Sequence, residues 1–167
     1  MKNHLRIQNL QLMQDNILDK DNNFMTFNQY LISKKDDISR LKYRKLNDAN
    51  VLALMLVETY YRKPLFRFSE YLYWVLSGDS EVSIGLSQMK VRYIKTFRNL
   101  NIIERAKYVI KLESYIENYF LIEQYLSKNL NIDINDDKSI CKYYNGLNVN
   151  NHYIKCFKDA KLYVKSL

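Results

Sequence analysis

With 167 residues, 47% of them hydrophobic and 26% charged, the chain is too apolar for intrinsic disorder and of a size to build one core. Only 3 Gly and 1 Pro leave too little turn chemistry for an all-β fold, so a single all-α domain is expected. The net charge of +8 predicts attraction to polyanions, yet Lys and Arg are scattered along the whole length instead of forming the clustered footprint of a nucleic-acid binder, and no nucleic-acid partner is expected.

Residues 1–21 mix Leu and Ile with Asn, Gln, Asp and Lys. They lack the continuous apolar stretch of a secretory signal and read as a helix that packs on the domain or frays from it. A loosely apolar segment over 27–45 follows, with a charged patch at Lys34 to Asp37 placed to break it in two. Together these form an N-terminal helical arm, 1–46, ahead of the main domain, 47–167. Asn47 and Asp48 supply capping oxygens for a strongly apolar helix running to about Arg62, which Pro64 stops. Its apolar run, Val51 to Val57, is the longest in the chain and far short of the roughly 20 residues that cross a bilayer, so no transmembrane segment is expected.

Further along, Phe66 to Leu76 forms a second apolar segment ending at Ser77 and Gly78, and a polar loop covers Asp79 to Ser83. Tyr71, Tyr73 and Trp74 on that segment read as core more than as a sugar-stacking surface. Leu86 to Phe97 reads as a short amphipathic helix, and Ile102 to Leu130 as a long helix, apolar on most faces and central to the fold. After the polar linker 131–138, helices over 139–144 and 149–164 close the chain. Cys141 and Cys156 lack metal-ligand spacing and read as two thiols or as one bridge between adjacent helices; His4 and His152 stand alone. Neither a metal site nor a cofactor is implied.

One residue carries chemistry. Glu58 is preceded at i−3, i−4 and i−7 by Met55, Leu54 and Val51, so its carboxyl starts on an apolar face. Desolvation there raises the pKa and leaves a proton for general-acid work near neutral pH. The competing explanation is an ordinary helix ion pair with Arg62 at i+4. Around it, Glu58-Thr59-Tyr60-Tyr61 precedes Gly85-Leu86-Ser87-Gln88-Met89, and Tyr144-Asn145-Gly146 lies near the C-terminal end. In order and approximate spacing these resemble the soluble lytic transglycosylases and goose-type lysozymes, over roughly residues 48–165. Departures are Ser87 where that pattern carries Met, Pro64 one place late, and Asn145 directly followed by Gly146.

The resemblance implies a lysozyme-like helical domain with a substrate groove between the Glu58 helix end, the loop from Asp79 to Gln88 and the Tyr144 turn. It implies cleavage of the MurNAc-GlcNAc bond of peptidoglycan, with Glu58 as general acid and base and Gly85, Leu86, Ser87, Gln88, Tyr144 and Asn145 as substrate-binding positions. Glycosidases commonly use a second carboxylate, for which Asp79 and Glu81 are the candidates. Without one, the resemblance implies the lytic transglycosylase route, in which one Glu serves twice and leaves a 1,6-anhydro end. Glycan strands and anionic envelope polymers are the expected partners, reached from the cytoplasm by an unidentified route. The rival readings are a catalytically degenerate glycan- or protein-binding domain, suggested by Ser87, and a cytoplasmic nucleic-acid binder, suggested by the charge.

Overall fold

The computed structural model describes residues 17–18, 24–62, 64–97, 99–128 and 132–167. Most of the expected N-terminal helix therefore lies outside the described residues; within them Ile17–Leu18 (β1) pairs antiparallel with Phe24–Met25 (β2). Among the described residues the chain is mostly helical.

Phe27–Ser33 (α1) and Lys35–Tyr43 (α2) divide at Lys34, within the charged patch. Thr26 opens α1 through a capping box with Gln29, which satisfies two end amides at once. Ala49–Tyr61 (α3) follows, with Asp48 Oδ1 accepting the amides of Asn50 at 2.8 Å and Val51 at 3.1 Å. Asp48→Ala is expected to cost about 1 kcal/mol in urea unfolding, because those amides lose their acceptor. Val51 through Glu58 are all buried, so α3 is apolar on every side and must be enclosed. It lies against α6 (Tyr115–Ser127) and, along more of its length, α8 (Asn151–Ser166). The central helix is thus α3 and not the 102–130 segment.

Pro64 is the first residue of α4 (Pro64–Ser77), where its missing N–H costs nothing; α3 has already ended at Tyr61. Tyr71 and Trp74 are core, as expected, whereas Tyr73 is exposed. The expected helix over 86–97 does not form. Ser83–Ile84 (β3) and Met89–Lys90 (β4) pair as an antiparallel hairpin, followed by 3₁₀ turns at Val91–Tyr93 and Lys95–Phe97. Left-handed backbone at Gly85 (φ 79°) and Gln88 (φ 50°) rules out helix at the hairpin tip. Val91, Ile94 and Phe97, three apart, still bury one side, since 3₁₀ and α spacing give the same apolar signal over so few residues.

The expected long helix is two, Ile102–Leu112 (α5) and Tyr115–Ser127 (α6). At the break Glu113 is drawn into a bidentate pair with buried Arg67, both bonds 3.0 Å, and the Leu112 carbonyl accepts from Leu86 N and Asn118 Nδ2. Tertiary partners thus replace the helical ones. Asp137–Asn145 (α7) ends at Gly146, whose positive φ of 98° suits a glycine C-cap. Two cores result. The larger joins α1, α2, α3, α6, α7 and α8, and the smaller joins α4, the hairpin, the 3₁₀ turns and α5, with Tyr144 packed against both. No helix among the described residues is long and apolar enough to cross a membrane.

Candidate functional site

Glu58 lies on the last turn of α3, and burial pushes its carboxyl up from an ordinary 4.5 to about 7, against the opposing effects of the Tyr153 hydroxyl and the Arg62 charge. The residue keeps 9% of its surface exposed. Its Oε1 accepts the Tyr153 hydroxyl at 2.5 Å. Arg62 is turned elsewhere: its Nη1 pairs with Glu70 Oε1 at 3.0 Å, so the i,i+4 ion pair that competes with a catalytic role for Glu58 is not what the guanidinium makes. Desolvation thus outweighs the phenol hydrogen bond and leaves the carboxyl about half protonated near pH 7, the state a general acid needs.

Three hydrogen bonds gather the motif segments around this helix end. Thr59 Oγ1 donates to the Leu86 carbonyl at 3.3 Å, and the Tyr144 hydroxyl donates to the Ser87 carbonyl at 2.6 Å. Tyr153, on α8, closes the set from behind. Tyr144 is close enough to Glu58 for the carboxylate to raise its hydroxyl pKa, although burial is the larger cause.

Gln88, Tyr144 and Asn145 line a groove of about 320 Å³, together with Met89, Tyr93 and Tyr143 among others. Tyr125, also on its wall, stacks on Tyr143 with ring centroids 4.9 Å apart and lies 5.2 Å from Tyr93. Glu58 is not among the residues lining this groove; Tyr144 lines it and lies within electrostatic reach of Glu58. Gln88 Nε2 donates to the Gly85 carbonyl at 2.9 Å, and the same side-chain amide lies within hydrogen-bonding reach of the Glu70 carboxyl, an effect that opposes the larger one of burial on that group.

Gly85, Leu86 and Ser87, expected as substrate-binding positions, are buried. A Cβ at Gly85 would lie 2.6 Å from Asn118 Oδ1, so the space its missing side chain leaves is filled by that amide. Asn118 itself is fully buried. Its Oδ1 accepts the Ser87 amide at 2.9 Å, and its Nδ2 donates to Leu112 and Ser114 carbonyls, both at 2.8 Å. This side chain ties the loop to the α5–α6 break, alongside the bonds from Thr59, Tyr144 and the Leu86 amide.

The candidate second carboxylates are engaged elsewhere. Asp79 accepts the Glu81 amide at 2.8 Å and the Tyr73 hydroxyl at 3.4 Å, while Glu81 is paired with Lys90 and Arg92 on the hairpin. Those two cations hold the exposed Glu81 carboxyl below its usual range, the Lys90 hydrogen bond being the largest cause. Neither hydrogen-bonds to Glu58 or Tyr144. Cys141 and Cys156 are buried thiols, and burial with the nearby Asp137 and Glu58 charges pushes Cys141 up to about 12.

Tyr153 and Asn118 escaped the sequence reading. Asn118 had a signal, being a lone amide within the apolar stretch 115–122; Tyr153 had none, as one of 15 tyrosines. No protein-family model, curated protein or solved structure matches the chain.

Proposed function

We propose that this chain is a peptidoglycan-cleaving glycosidase, a lytic transglycosylase or muramidase that breaks the MurNAc-GlcNAc bond with Glu58 as general acid and base. The observation that carries the reading is the Glu58 carboxyl, raised to about 7 by burial at a helix end where Leu86, Ser87 and Tyr144 meet. A groove bordered by Gln88, Tyr144 and Asn145 is of a size for sugar rings.

Because Asp79 and Glu81 are held in the hairpin, the transglycosylase route is favoured over a two-carboxylate mechanism. Glu58 first donates its proton to the leaving glycosidic oxygen. As a carboxylate it then takes the proton from the sugar's own 6-hydroxyl, whose oxygen closes on C1 to give the 1,6-anhydro end. The +8 chain is drawn to glycan strands carrying anionic polymers, and its place of action is the cell wall or periplasm.

Digestion of purified sacculi with the chain, followed by separation of soluble muropeptides, tests this. Anhydro-ended products are expected, with a loss on the order of 10³-fold in Glu58→Gln. A second reading, a glycan- or protein-binding domain without turnover, is favoured by the position of Glu58 behind the groove lining and by Asn118 filling the side of Gly85. No product from the unaltered chain would establish that reading instead.

A further inference from the structure

Helices α4 and α5 run antiparallel side by side. At one end Arg67 pairs with Glu113 just beyond α5, and at the other Arg105 Nε donates to the Val75 carbonyl at 3.0 Å. Their inner faces supply Tyr71, Trp74 and Leu112 to the smaller core. Their outer faces are also apolar. On α4, Leu65, Phe68, Leu72 and Leu76 follow helical spacing and are exposed, Leu65 by 79% and Leu76 by 63%. On α5, Ile103 and Ile110 continue the pattern at 64% and 81%.

A surface helix ordinarily turns charge toward water. Here the two charged residues of α4, Arg67 and Glu70, are engaged with Glu113 and Arg62, leaving its outer face uncharged. Outward charges on α5 are mainly cationic: Lys107 and Lys111 are exposed beside Ile103 and Ile110, whereas the Glu104 carboxylate is committed to the Asn101 amide at 2.8 Å in the capping box. An apolar face of this extent, uncharged on α4 and bordered by lysines on α5, marks a docking surface.

We propose that this two-helix face docks on an anionic lipid surface, with the α4 row and the two isoleucines entering the interface and Lys107 and Lys111 at the headgroups. Charge selects this occupant. A second copy would bring the lysines of two +8 chains together across a shared axis, whereas an anionic bilayer offers both an apolar interior and complementary headgroups. The proposal is independent of the glycosidase reading.

Co-sedimentation with sucrose-loaded vesicles tests it. The full chain is expected to pellet with phosphatidylglycerol-containing vesicles and far less with pure phosphatidylcholine. Leu72→Glu is expected to weaken the anionic binding at least about tenfold with its circular dichroism unchanged, since Leu72 is already half exposed. A Lys107→Gln/Lys111→Gln variant is expected to bind less at low salt, with the gap closing as salt screens the headgroups. No pelleting on anionic vesicles, or equal pelleting by Leu72→Glu, overturns the proposal. So does a dimer in light scattering that Leu72→Glu converts to monomer, which would assign the face to a second copy.

Discussion

Glu58→Gln is expected to melt higher than the unaltered chain at pH 8 and at nearly the same temperature at pH 4. The folded carboxyl titrates at about 7 against an ordinary 4.5, with desolvation as the main cause. Between those values the native state holds a proton that the unfolded chain has released, so the stability of the unaltered chain falls as pH rises through this window. Below about 4.5 both states are protonated and the penalty vanishes; above about 7 it saturates at roughly 3 kcal/mol. Gln removes the titration while its carbonyl still accepts the Tyr153 hydroxyl. For a chain of this size the gain corresponds to roughly 6–12 °C in Tm. Thermal melts across a pH series check it. A gap between the two chains that ignores pH, or a lower Tm for the variant at pH 8, would remove the premise of a desolvated acid. Joined to lost sacculus digestion, a stabilising substitution marks a residue held against stability for chemistry.

Asn118→Ala is expected to cost about 3–5 kcal/mol, the largest stability loss for any polar residue near the site. Its amide satisfies the Ser87 N–H and the carbonyls of Leu112 and Ser114, all inside the fold. Truncation leaves the Ser87 amide without its acceptor at roughly 1–3 kcal/mol and removes two further bonds worth about 1 kcal/mol each, although the Leu112 and Ser114 carbonyls keep the backbone amides of residues 86 and 118. The damage is expected to be local first. The Ser87 amide should exchange with solvent much faster than amides of α3, and Gln88 should lose its fixed relation to Tyr144. Urea unfolding with hydrogen exchange measures both. A cost below about 1 kcal/mol with Ser87 still protected would show that the loop stands without its anchor. Asn118→Asp offers a sharper comparison, because it keeps the acceptor for Ser87 but aims a carboxylate at two carbonyls.

The elements written most plainly in the sequence are those whose cause is local. Asp48 before an unbroken apolar run sets the start of α3, and Asn145-Gly146 ends α7, because capping chemistry acts within a few residues. The Glu58 environment was likewise legible, since its neighbours at i−3, i−4 and i−7 are fixed by helix geometry alone. Mostly helical architecture followed from the scarcity of Gly and Pro.

Only the tertiary structure decided the rest. Apolar periodicity runs straight through Glu113, and the helix breaks there because Arg67 and Asn118 capture groups across the break from elsewhere in the fold. The stretch 86–97 carries helical spacing, yet pairing of Met89 with Ile84 and the left-handed Gln88 override it. Whether Glu58 faced Arg62 was undecidable from spacing, because Glu70 competes for the same guanidinium from the next helix. Likewise the hydrogen bond to the acid comes from Tyr153, 95 residues away. Local sequence specifies caps and periodicity through short-range geometry; which partner a side chain takes depends on contacts that exist only once distant helices have packed.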